Sequence, residues 1–362
     1  MPHQSSFPVQ DFTARLLAWY ATHTRPMPWK GEKNPYLIWL SEIVLQQTRV
    51  AQGLPYFERL RDAYPTVEAL AAAPEDELFK HWEGLGYYSR ARHLHAAAKY
   101  IAGDRAGVFP RTYEDILALR GVGPYTAAAI ASFAYGLPHA VVDGNVYRVL
   151  ARVFGIDTPI DSTAGQRRFA ELAQQLLHRT DPGRYNQAIM DFGATVCTPK
   201  RPACGTCPLR SDCVALATGR VTALPVKAKK LKQRTRYFHY LVLRSSERVL
   251  LRRRPAGDIW QGLFDFPLVE TDGPDTSTEE VLSQADWVKS SGCELQQRSA
   301  PLRQTLSHQK IVARFYELRC SVLPTALPPH VRAVQLVDLA DHAFPKIVDR
   351  YLHAPAPPLS LF

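Results

Sequence analysis

Apolar residues recur at helical spacing through the first two thirds of the chain. Alanine and leucine repeat every three or four positions, as in Leu94, Ala97, Ala98 and Ile101, which is the spacing of one helix face. No strand-like alternation interrupts this region. The pattern predicts an all-α domain over residues 1–224, with helices that include 12–21, 36–50, 55–63, 66–73, 75–82, 89–101, 113–119, 124–133, 146–154 and 165–177.

From residue 237 the spacing of apolar residues becomes that of strands. It predicts strands over 237–243, 248–253, 264–269, 311–318 and 331–337, with helices near 278–289 and 344–352. This order predicts an α+β domain over 237–362, built on a mixed or antiparallel sheet. We therefore expect a multidomain protein, which the length of 362 residues also favours.

Residues 225–236 join the two predicted domains. They contain no acid and six cations, at Lys227, Lys229, Lys230, Lys232, Arg234 and Arg236. A solvated linker and a tether that faces phosphates are equally good interpretations of this segment.

The formal net charge of the chain is +10. This charge favours a polyanionic partner, with nucleic acid ahead of an anionic membrane surface. The chain has no apolar run long enough to span a bilayer, and its start resembles neither a secretory signal nor a transit peptide. We therefore expect an intracellular protein that acts in the cytoplasm.

A glycine turn, Gly121-Val122-Gly123, precedes the helix predicted over 124–133. Glycines let the backbone N–H groups of a turn approach an anion closely. Pro124 suits the first helical position, and the helix N-terminus adds partial positive charge. The turn is expected to grip a phosphate of a nucleotide chain.

Asp143 follows that helix, in the segment Val-Val-Asp-Gly-Asn-Val. A short polar residue before a helix is most simply an N-cap. Capping is compatible with catalysis, because a hydrogen-bonded carboxylate stays ionised and can stabilise a sugar cation.

Glu42 lies in an apolar helical segment that we expect to bury it. Burial raises the pKa of a carboxyl group, and a general acid that works near neutrality needs a raised pKa. The alternative is a structural glutamate paired with Arg90 or Arg92. With Asp143 in the same chain we favour catalysis, because one protonated and one ionised carboxylate is the pair that cleaves glycosidic bonds.

Four of the six cysteines lie close together, at Cys197, Cys204, Cys207 and Cys213. Four thiolates at this spacing bind either Zn²⁺ or an iron–sulfur cluster. The first gap carries Lys200 and Arg201, which fits a structural metal that shapes a phosphate-binding loop. Cys293 and Cys320 are isolated, and we expect them to be small buried apolar side chains.

Residues 82–92 form a second glycine turn, Trp-Glu-Gly-Leu-Gly-Tyr-Tyr-Ser-Arg-Ala-Arg. An aromatic side chain on such a turn suits insertion into a base stack that a flipped nucleotide has left. Each tyrosine is equally well explained as a core residue with a satisfied hydroxyl.

The hairpin with its trailing Asp143, the cysteine spacing and the helix of Glu42 together resemble the helix-hairpin-helix base-excision glycosylases that carry a [4Fe–4S] cluster. Within that superfamily the chain is similar to the adenine DNA glycosylase family over nearly its whole length. The similarity lies in long motifs, namely Leu-Gln-Gln-Thr-Arg-Val at 45–50, Gly-Leu-Gly-Tyr-Tyr-Ser-Arg at 84–90 and Val-Asp-Gly-Asn-Val at 142–146.

The resemblance implies a monomer that excises adenine mispaired with 8-oxoguanine or guanine in double-stranded DNA. Glu42 would protonate adenine N7 and later help to position water. Asp143 would stabilise the oxocarbenium ion, and Asn145 and Tyr125 would support the site.

The resemblance also implies the DNA contacts and the cofactor. Gln47 and Tyr87 would enter the base stack opposite the flipped adenine, beside the 8-oxoguanine. The four clustered cysteines would bind the [4Fe–4S] cluster, which the family uses structurally and for DNA engagement.

The second domain resembles a Nudix fold, which the family uses to recognise 8-oxoguanine. Residues 260–267, Trp-Gln-Gly-Leu-Phe-Asp-Phe-Pro, are the strand and turn expected there. Residues 276–287 lack the Arg-Glu-x-x-Glu-Glu pattern that binds Mg²⁺ in Nudix hydrolases, so we expect no hydrolase activity. Ser307 and His308 would form the lesion-reading loop, after Leu306 where the family often has an aromatic residue.

Two alternatives remain. An endonuclease III-like bifunctional enzyme would excise oxidised pyrimidines, but that group has a lysine nucleophile where this chain has Tyr125. Tyrosine cannot form the Schiff base that β-elimination needs, so monofunctional hydrolysis is expected. A non-catalytic DNA-binding protein is the alternative from another class, and it predicts no dependence on Glu42 or Asp143.

Overall fold

The structure is a computed structural model that describes residues 9–228, 233–289 and 292–354. These residues form two compact units. The first unit holds the described residues up to Ala72 and from His93 to Ala228. The second holds Ala73–Arg92 and the described residues from Gln233 onwards. Residues 73–92 thus pack with the second unit, a division that the sequence pattern did not indicate.

The described residues up to 217 are helical, as predicted. The helices are α1 (Val9–Thr22), α2 (Pro35–Leu45), α3 (Val50–Ala63), α4 (Val67–Ala72), α5 (Glu75–Trp82), α6 (Ser89–Asp104), α7 (Tyr113–Leu117), α8 (Pro124–Tyr135), α9 (Gly144–Phe154), α10 (Thr163–Leu176), α11 (Pro182–Thr195) and α12 (Val214–Ala217). Short 3₁₀ turns occupy Cys204–Thr206 and Arg210–Asp212. None of the described helices has the length and apolarity that a membrane crossing requires.

Most of the predicted helix ends are shifted by a few residues, and two boundaries differ by more than one helical turn. α2 ends at Leu45. The N–H of Gln46 donates to the carbonyl of Glu42 and caps the helix, and the next residue, Gln47, has a left-handed backbone with a φ of 54°. α3 begins at Val50 and contains Pro55, where the sequence predicted a start at that proline. Its buried face, which holds Gly53, Phe57 and Leu60, outweighs the hydrogen bond that a proline removes.

Helix pairs in the first unit hold the segments that carry the predicted site. α2 packs against α8, and α9 packs against α11. A Cβ on Gly193 of α11 would lie 2.7 Å from the Cβ of Asn145, so this glycine allows α9 and α11 to approach closely. The start of α9, next to Asp143, is therefore held closely against α11.

The second unit contains a mixed sheet of eight described strands. They are β1 (Arg234–Arg244), β2 (Arg248–Arg253), β3 (Phe264–Asp265), β4 (Leu268–Thr271), β5 (Glu294–Arg298), β6 (Leu302–Thr305), β7 (Gln309–Arg319) and β8 (Val331–Gln335). The order is β3-β2-β1-β7-β5, with β4 on β1, β6 on β7 and β8 on β2. β1 and β7 are parallel, and the other pairs are antiparallel.

Three helices accompany this sheet: α13 (Thr278–Ser283), α14 (Asp286–Lys289) and α15 (Lys346–Leu352). A 3₁₀ segment covers Leu336–Asp341. The first turn of α13 is a capping box in which Ser277 and Glu280 each accept a backbone N–H of the other. Glu280 is thus occupied as a cap.

The segment 260–267 is anchored by buried charges. Asp265 is fully buried and accepts two hydrogen bonds from Arg252, each of 2.9 Å. Arg254 also pairs with Asp265, and its guanidinium lies 5.2 Å from the ring centre of Trp260 and 5.5 Å from that of Phe238. Removing one partner would leave an uncompensated buried charge, so this network locks the segment.

Cys293 and Cys320 form a disulfide. The expectation of two isolated thiols is therefore wrong, although Cys320 is buried as expected. The pairing arises because β5 and β7 are antiparallel neighbours, which places Cys293 beside the end of β7. The two cysteines are 27 residues apart in the sequence, and this spacing alone does not indicate that they pair.

Candidate active site

The hairpin turn between α7 and α8 has one strained glycine. Gly121 has a φ of 82°, and a Cβ there would lie 2.5 Å from the Cβ of His93. Gly123 has extended backbone and open space around it, so its φ does not require glycine. The N–H of Val122 donates to the carbonyl of Leu119 at 3.1 Å. Among the described residues, the N–H groups of Gly121 and Gly123 and those of Tyr125 and Thr126 in the first turn of α8 make no backbone hydrogen bond, so they are donors open to a phosphate.

Glu42 and Tyr125 meet where α2 packs on α8. Glu42 is 7% exposed, and the hydroxyl of Tyr125 is near enough to its carboxyl group to lower its pKa against the effect of burial. That hydroxyl also lies 3.4 Å from the Sδ of Met190 on α11. Burial raises the pKa of Tyr125 well above its usual value, so its phenol keeps its proton and remains a donor.

Asp143 is the N-cap of α9, as the simpler interpretation expected. Its Oδ1 accepts the N–H groups of Asn145 and Val146, both at 2.8 Å. Its Oδ2 accepts the side-chain amide of Asn145 at 2.7 Å. The charge of Asp143 also raises the pKa of Glu42, so the cap lies within electrostatic reach of the second carboxyl group.

The two carboxyl groups differ in which protonation state their surroundings favour. Burial is the main cause that raises the pKa of Glu42 from 4.5 to about 7. Burial also raises the pKa of Asp143, against the hydrogen bonds from Val146 and Asn145 and the nearby Arg148 cation. Because the pKa of Asp143 is raised overall, the effect of burial is larger than that of the hydrogen bonds. The expectation of an ionised Asp143 had relied on those hydrogen bonds. Because Asp143 has three donors and a helix N-terminus, Glu42 is the group that holds a shared proton.

Arg148 connects the cap to the cysteine loop, and sequence reasoning missed it. One Nη donates to the Oδ1 of Asn145 at 2.8 Å and to the carbonyl of Gly193 at 2.6 Å. Its Nε donates to the carbonyl of Cys197 at 2.6 Å. An arginine on the apolar face of a predicted helix was the available signal, since such a buried cation needs acceptors.

A cavity of about 340 Å³ lies beside α11, and it was also missed. Its wall includes Trp29, Lys30 and Gln187. Gln187 and Met190 are three residues apart on α11 and so share a face. Met190 contacts the hydroxyl of Tyr125, so the face of α11 that carries Gln187 also carries a contact to Tyr125.

Gln47 and Tyr87, the two residues expected to enter the base stack, share an unusual backbone. Gln47 has a φ of 54° and Tyr87 a φ of 49°. Only four non-glycine residues of the described chain have positive φ. Strain of this kind is typical of functional sites. Tyr87 is 46% exposed, whereas Tyr88 is buried and accepts the N–H of Gly84 at 3.2 Å.

The turn that carries Ser307 and His308 meets Tyr87 within the second unit. The hydroxyl of Tyr87 lies 2.7 Å from the Oγ of Ser307. A hydrogen bond closes this turn, in which the N–H of Leu306 donates to the carbonyl of Gln309 at 2.7 Å. Ser307 and His308 are exposed, and the structure brings together a tyrosine and a turn that were predicted from separate motifs.

The four clustered thiols line one cavity in the first unit: Cys197, Cys204, Cys207 and Cys213. Arg152 fixes the loop after the first of them, donating to the carbonyls of Thr198 at 2.8 Å and Pro199 at 3.1 Å. Lys200 and Arg201 are exposed on that loop. Burial raises the pKa of the Cys197 thiol, whereas the Arg152 cation lowers it.

The thiol arrangement favours a cluster over a single ion. A zinc site needs four donors in one tetrahedral shell, whereas a [4Fe–4S] cluster takes one thiolate at each of four irons. Four thiols around a shared cavity, with an arginine beside them, fit the larger and anionic group.

Three segments match known protein families. Residues 40–175 match the HhH-GPD superfamily of base excision DNA repair proteins. Residues 197–213 match the iron-sulfur binding domain of endonuclease III. Residues 239–354 match the NUDIX domain.

Relatives extend the match over most of the chain. The chain is 34% identical over 373 residues to the adenine DNA glycosylase of Rattus norvegicus, covering 86% of this chain and 70% of that protein. It is 34% identical over 259 residues to the adenine DNA glycosylase of Buchnera aphidicola subsp. Baizongia pistaciae, covering 71% and 73%. The chain belongs to the adenine DNA glycosylase family. The human relative of that name is 33% identical over 391 residues, covering 90% and 70%.

Family membership confirms several predictions. The chain is a base-excision DNA glycosylase, its partner is DNA and its cofactor is an iron–sulfur cluster of the [4Fe–4S] type. The predicted architecture, a helix-hairpin-helix glycosylase domain followed by a Nudix-like domain, is confirmed as well.

Solved structures agree with this fold. A thermostable thymine-DNA glycosylase superposes with a TM-score of 0.55 at 30% identity, covering 58% of this chain and 97% of that one. A non-covalent endonuclease III–DNA complex superposes with a TM-score of 0.51 at 22% identity, covering 59% and 98%. The second likeness concerns the fold alone, so it does not favour the bifunctional alternative.

Proposed function

We propose that this chain hydrolyses the N-glycosidic bond of adenine mispaired with 8-oxoguanine or guanine in duplex DNA. The observation that carries the proposal is the pair of carboxyl groups with opposite protonation tasks. Glu42 is buried with a pKa of about 7, and Asp143 accepts three hydrogen bonds at a helix N-terminus. We also propose that the chain acts as a monomer. We expect the enzyme to act in the cytoplasm, on the chromosome of a bacterium.

In this proposal the backbone of the DNA is held at two places. The N–H groups of Gly121 and Gly123 bind a phosphate at the start of α8. Lys200 and Arg201, exposed on the cysteine loop, supply cations to the backbone. The strained turns of Gln47 and Tyr87 present side chains that occupy the space left by the flipped adenine.

The flipped adenine enters the cavity beside α11. Its volume of about 340 Å³ suits one base, and Trp29 provides an aromatic surface for stacking. Gln187 has an amide that both donates and accepts, which suits the edge of a purine. Met190, one turn along α11 from Gln187, contacts the hydroxyl of Tyr125 and so connects this part of α11 to Tyr125 and Glu42.

The chemistry consists of one proton transfer, one bond cleavage and one addition of water. Glu42 gives its proton to N7 of adenine, and the C1′–N9 bond breaks with its electron pair on the base. Asp143 stabilises the oxocarbenium ion by its negative charge. The oxygen of a water molecule then bonds to C1′, and Glu42 takes back the proton that this water loses. The products are free adenine and an apurinic site.

Three neighbours keep the two carboxyl groups in position. Tyr125 keeps its proton beside Glu42, so the phenol supports the proton donor without serving as a nucleophile. Asn145 fixes one oxygen of Asp143, and Arg148 in turn holds the Oδ1 of Asn145. This ordering before the substrate arrives is the electrostatic preorganisation that glycosidic cleavage requires.

Lesion reading is assigned to Tyr87, Ser307 and His308. The hydrogen bond between Tyr87 and Ser307 supports this assignment, because it ties the residue in the base stack to the exposed turn. The hydroxyl of Ser307 and the ring of His308 are hydrogen-bonding groups that distinguish 8-oxoguanine from guanine by its altered edge.

The [4Fe–4S] cluster is assigned to Cys197, Cys204, Cys207 and Cys213. When bound, it supplies a rigid structural centre and carries out no step of the hydrolysis. Arg152 binds the loop between the first two ligands, and that loop presents Lys200 and Arg201.

A single-turnover panel tests the proposed substrate and reaction together. The panel contains adenine opposite 8-oxoguanine, guanine and cytosine, and an oxidised pyrimidine in duplex DNA. We expect fast adenine release opposite 8-oxoguanine, slower release opposite guanine, and strand scission only after base or heat is added. Scission without treatment, together with borohydride trapping of a protein–DNA adduct, would support the bifunctional alternative. Binding without any base release would support the non-catalytic one.

A further inference from the structure

The connector between α8 and α9, residues 136–143, has no regular secondary structure and ends at Asp143. Two carbonyls and two N–H groups of this connector have no backbone partner among the described residues. They are the carbonyls of Pro138 and His139 and the N–H groups of Ala140 and Val141. Val141 is 1% exposed, and a buried peptide group without a hydrogen-bond partner is costly. The partners must therefore come from side chains.

The first of these partners is Gln174 of α10. Its Nε2 donates to the carbonyl of Pro138 at 2.7 Å, and its Oε1 accepts the N–H of Ala140 at 3.1 Å. One amide thus uses its donor and its acceptor on two peptide groups of the connector. Gln174 is not among the described residues that line the cavity beside α11, so a change at this position leaves the wall of that cavity as it is.

The second partner is Asn186 of α11, whose side chain is fully buried. Its Nδ2 donates to the carbonyl of His139 at 2.9 Å, and its Oδ1 accepts the N–H of Val141 at 3.2 Å. The same Nδ2 also donates to the Oγ of Ser132 on α8 at 2.9 Å. Both N–H bonds of the buried amide are therefore used, and they tie the connector to α8 and α11 together.

α11 contacts the chain on both sides of Asp143. Asn186 holds the N–H of Val141, which lies two residues before this carboxylate. Gly193 packs closely on Asn145, which lies two residues after it. Because one helix makes both contacts, the backbone of Asp143 is placed relative to a single element. The amide of Asn186 reaches the carboxylate only through the backbone between them.

We propose that Gln174 and Asn186 are positioning residues that set where the carboxylate of Asp143 lies in the active site. This inference rests on the proposed function, in which the charge of Asp143 stabilises the oxocarbenium ion. That stabilisation depends on the distance between the charge and the sugar. A misplacement of about 1 Å in an active site can cost roughly 100-fold in rate. The two amides act through the connector and do not touch the DNA.

Single-turnover adenine release by the full-length holoprotein, from a duplex with adenine opposite 8-oxoguanine, tests this role. Gln174→Leu keeps a similar side-chain volume and removes both hydrogen bonds to the connector. We expect its rate to fall at least about tenfold, because the carboxylate is no longer held in place. The control is Gln175→Leu, at the exposed neighbouring position on α10, which should cleave like the wild type.

Affinity for uncleaved DNA is measured alongside the rate. The probe is the same duplex with 2′-fluoro-2′-deoxyadenosine, in which the fluorine withdraws electrons from C1′ and so prevents loss of the base. Gln174→Leu should bind this probe within about twofold of the wild type, because a residue that positions a catalytic charge affects the rate and not the binding.

A double-mutant cycle separates this role from general damage to the fold. If Gln174 acts through the charge of Asp143, Gln174→Leu should slow the Asp143→Asn variant less than about twofold, because the charge to be positioned is absent. Asn186→Leu should give the same cycle. Gln174→Leu, at a half-buried position, keeps the proposal testable where the buried Asn186→Leu does not fold.

Three results would overturn the proposal. They are a wild-type rate in Gln174→Leu, an equal fold loss in the wild-type and Asp143→Asn backgrounds, and a loss of probe affinity as large as the loss of rate. The last result would assign Gln174 to DNA binding. Failure of the proposed function has a different signature, because Asp143→Asn alone would then cleave like the wild type.

Discussion

The hydroxyl of Tyr87 lies 2.7 Å from the Oγ of Ser307, although the two residues are 220 positions apart in the chain. Tyr87 has a left-handed backbone and an exposed ring, and Ser307 lies on an exposed turn. Tyr87, which is proposed to fill the base stack, and Ser307, which is proposed to read the lesion, are therefore directly hydrogen-bonded to each other. Either hydroxyl can donate, so the pair can adjust to a ligand that donates or accepts.

Removing this hydrogen bond should affect the choice of lesion more than the chemistry. Tyr87→Phe keeps the ring and loses the hydroxyl. We expect adenine release opposite 8-oxoguanine to slow several-fold and release opposite guanine to change less than about twofold, since a hydrogen bond of this type is worth about 1 kcal/mol. Single-turnover rates on the two duplexes measure the difference.

A double-mutant cycle gives this prediction its control. Ser307→Ala should resemble Tyr87→Phe, and the double variant should be no slower than either one, because both changes remove the same contact. Tyr100→Phe, at a residue that is 45% exposed, should have no effect. Fully additive losses would show that the two hydroxyls act separately.

The pKa of Glu42 predicts the pH dependence of excision. The reaction needs the protonated form, and burial raises the pKa of this group to about 7. The single-turnover rate should therefore fall about tenfold per pH unit well above pH 7, where Glu42 has lost its proton. Glu171→Gln, an exposed control, should keep this profile. A rate that stays flat to pH 9 would remove Glu42 from the role of general acid.

The same pKa predicts that Glu42 lowers the stability of the folded enzyme at alkaline pH. The folded state holds the proton up to about pH 7, whereas an ordinary glutamate releases it near 4.5. The stability that this proton contributes is complete below pH 4.5 and is lost as pH rises to about 7. Glu42→Gln should thus be more stable than the wild type at pH 8, by about 3 kcal/mol, and similar to it at pH 4.5. Thermal melts of the DNA-free holoprotein at both pH values test this, and an equal gap at both would contradict it.

The cysteine assignment predicts which substitutions remove iron. Cys207→Ser should lower the iron content per chain and destabilise the loop of Lys200 and Arg201, weakening DNA binding. Cys320→Ser changes a disulfide cysteine of the second unit and should leave the iron content unchanged. Metal analysis of both purified variants decides the matter. A wild-type protein that contains zinc and no iron would refute the cluster while leaving the carboxyl pair untouched.

The carboxyl pair was predictable because local chemistry determines it. An apolar helix of the type that holds Glu42 buries its acid, and an Asp before a helix caps it. Their approach was not predictable, because it depends on how α2, α8 and α9 pack. α11 lies within the predicted all-α region, but its bounds were not predicted. Its sequence begins with Pro182-Gly183 and includes Gly193, which are weak helix formers that tertiary packing overrides.

Other features depend on long-range geometry that a single sequence does not contain. Tyr87 and Tyr88 are chemically equivalent, and only the backbone of the turn exposes the first and buries the second. β5 has no buried residue, so it shows no alternation of apolar and polar positions. Cys293 and Cys320 become neighbours only once this strand pairs with β7.

Single-turnover adenine release from a duplex with adenine opposite 8-oxoguanine, compared between wild type and Asp143→Asn, tests the central claim most directly. Asparagine keeps the cap and the shape but removes the charge that stabilises the oxocarbenium ion, so we predict a loss of at least about 100-fold. Asp157→Asn, at an exposed residue just beyond the other end of α9, should cleave like the wild type. If Asp143→Asn also cleaves like the wild type, the carboxyl-pair mechanism is wrong.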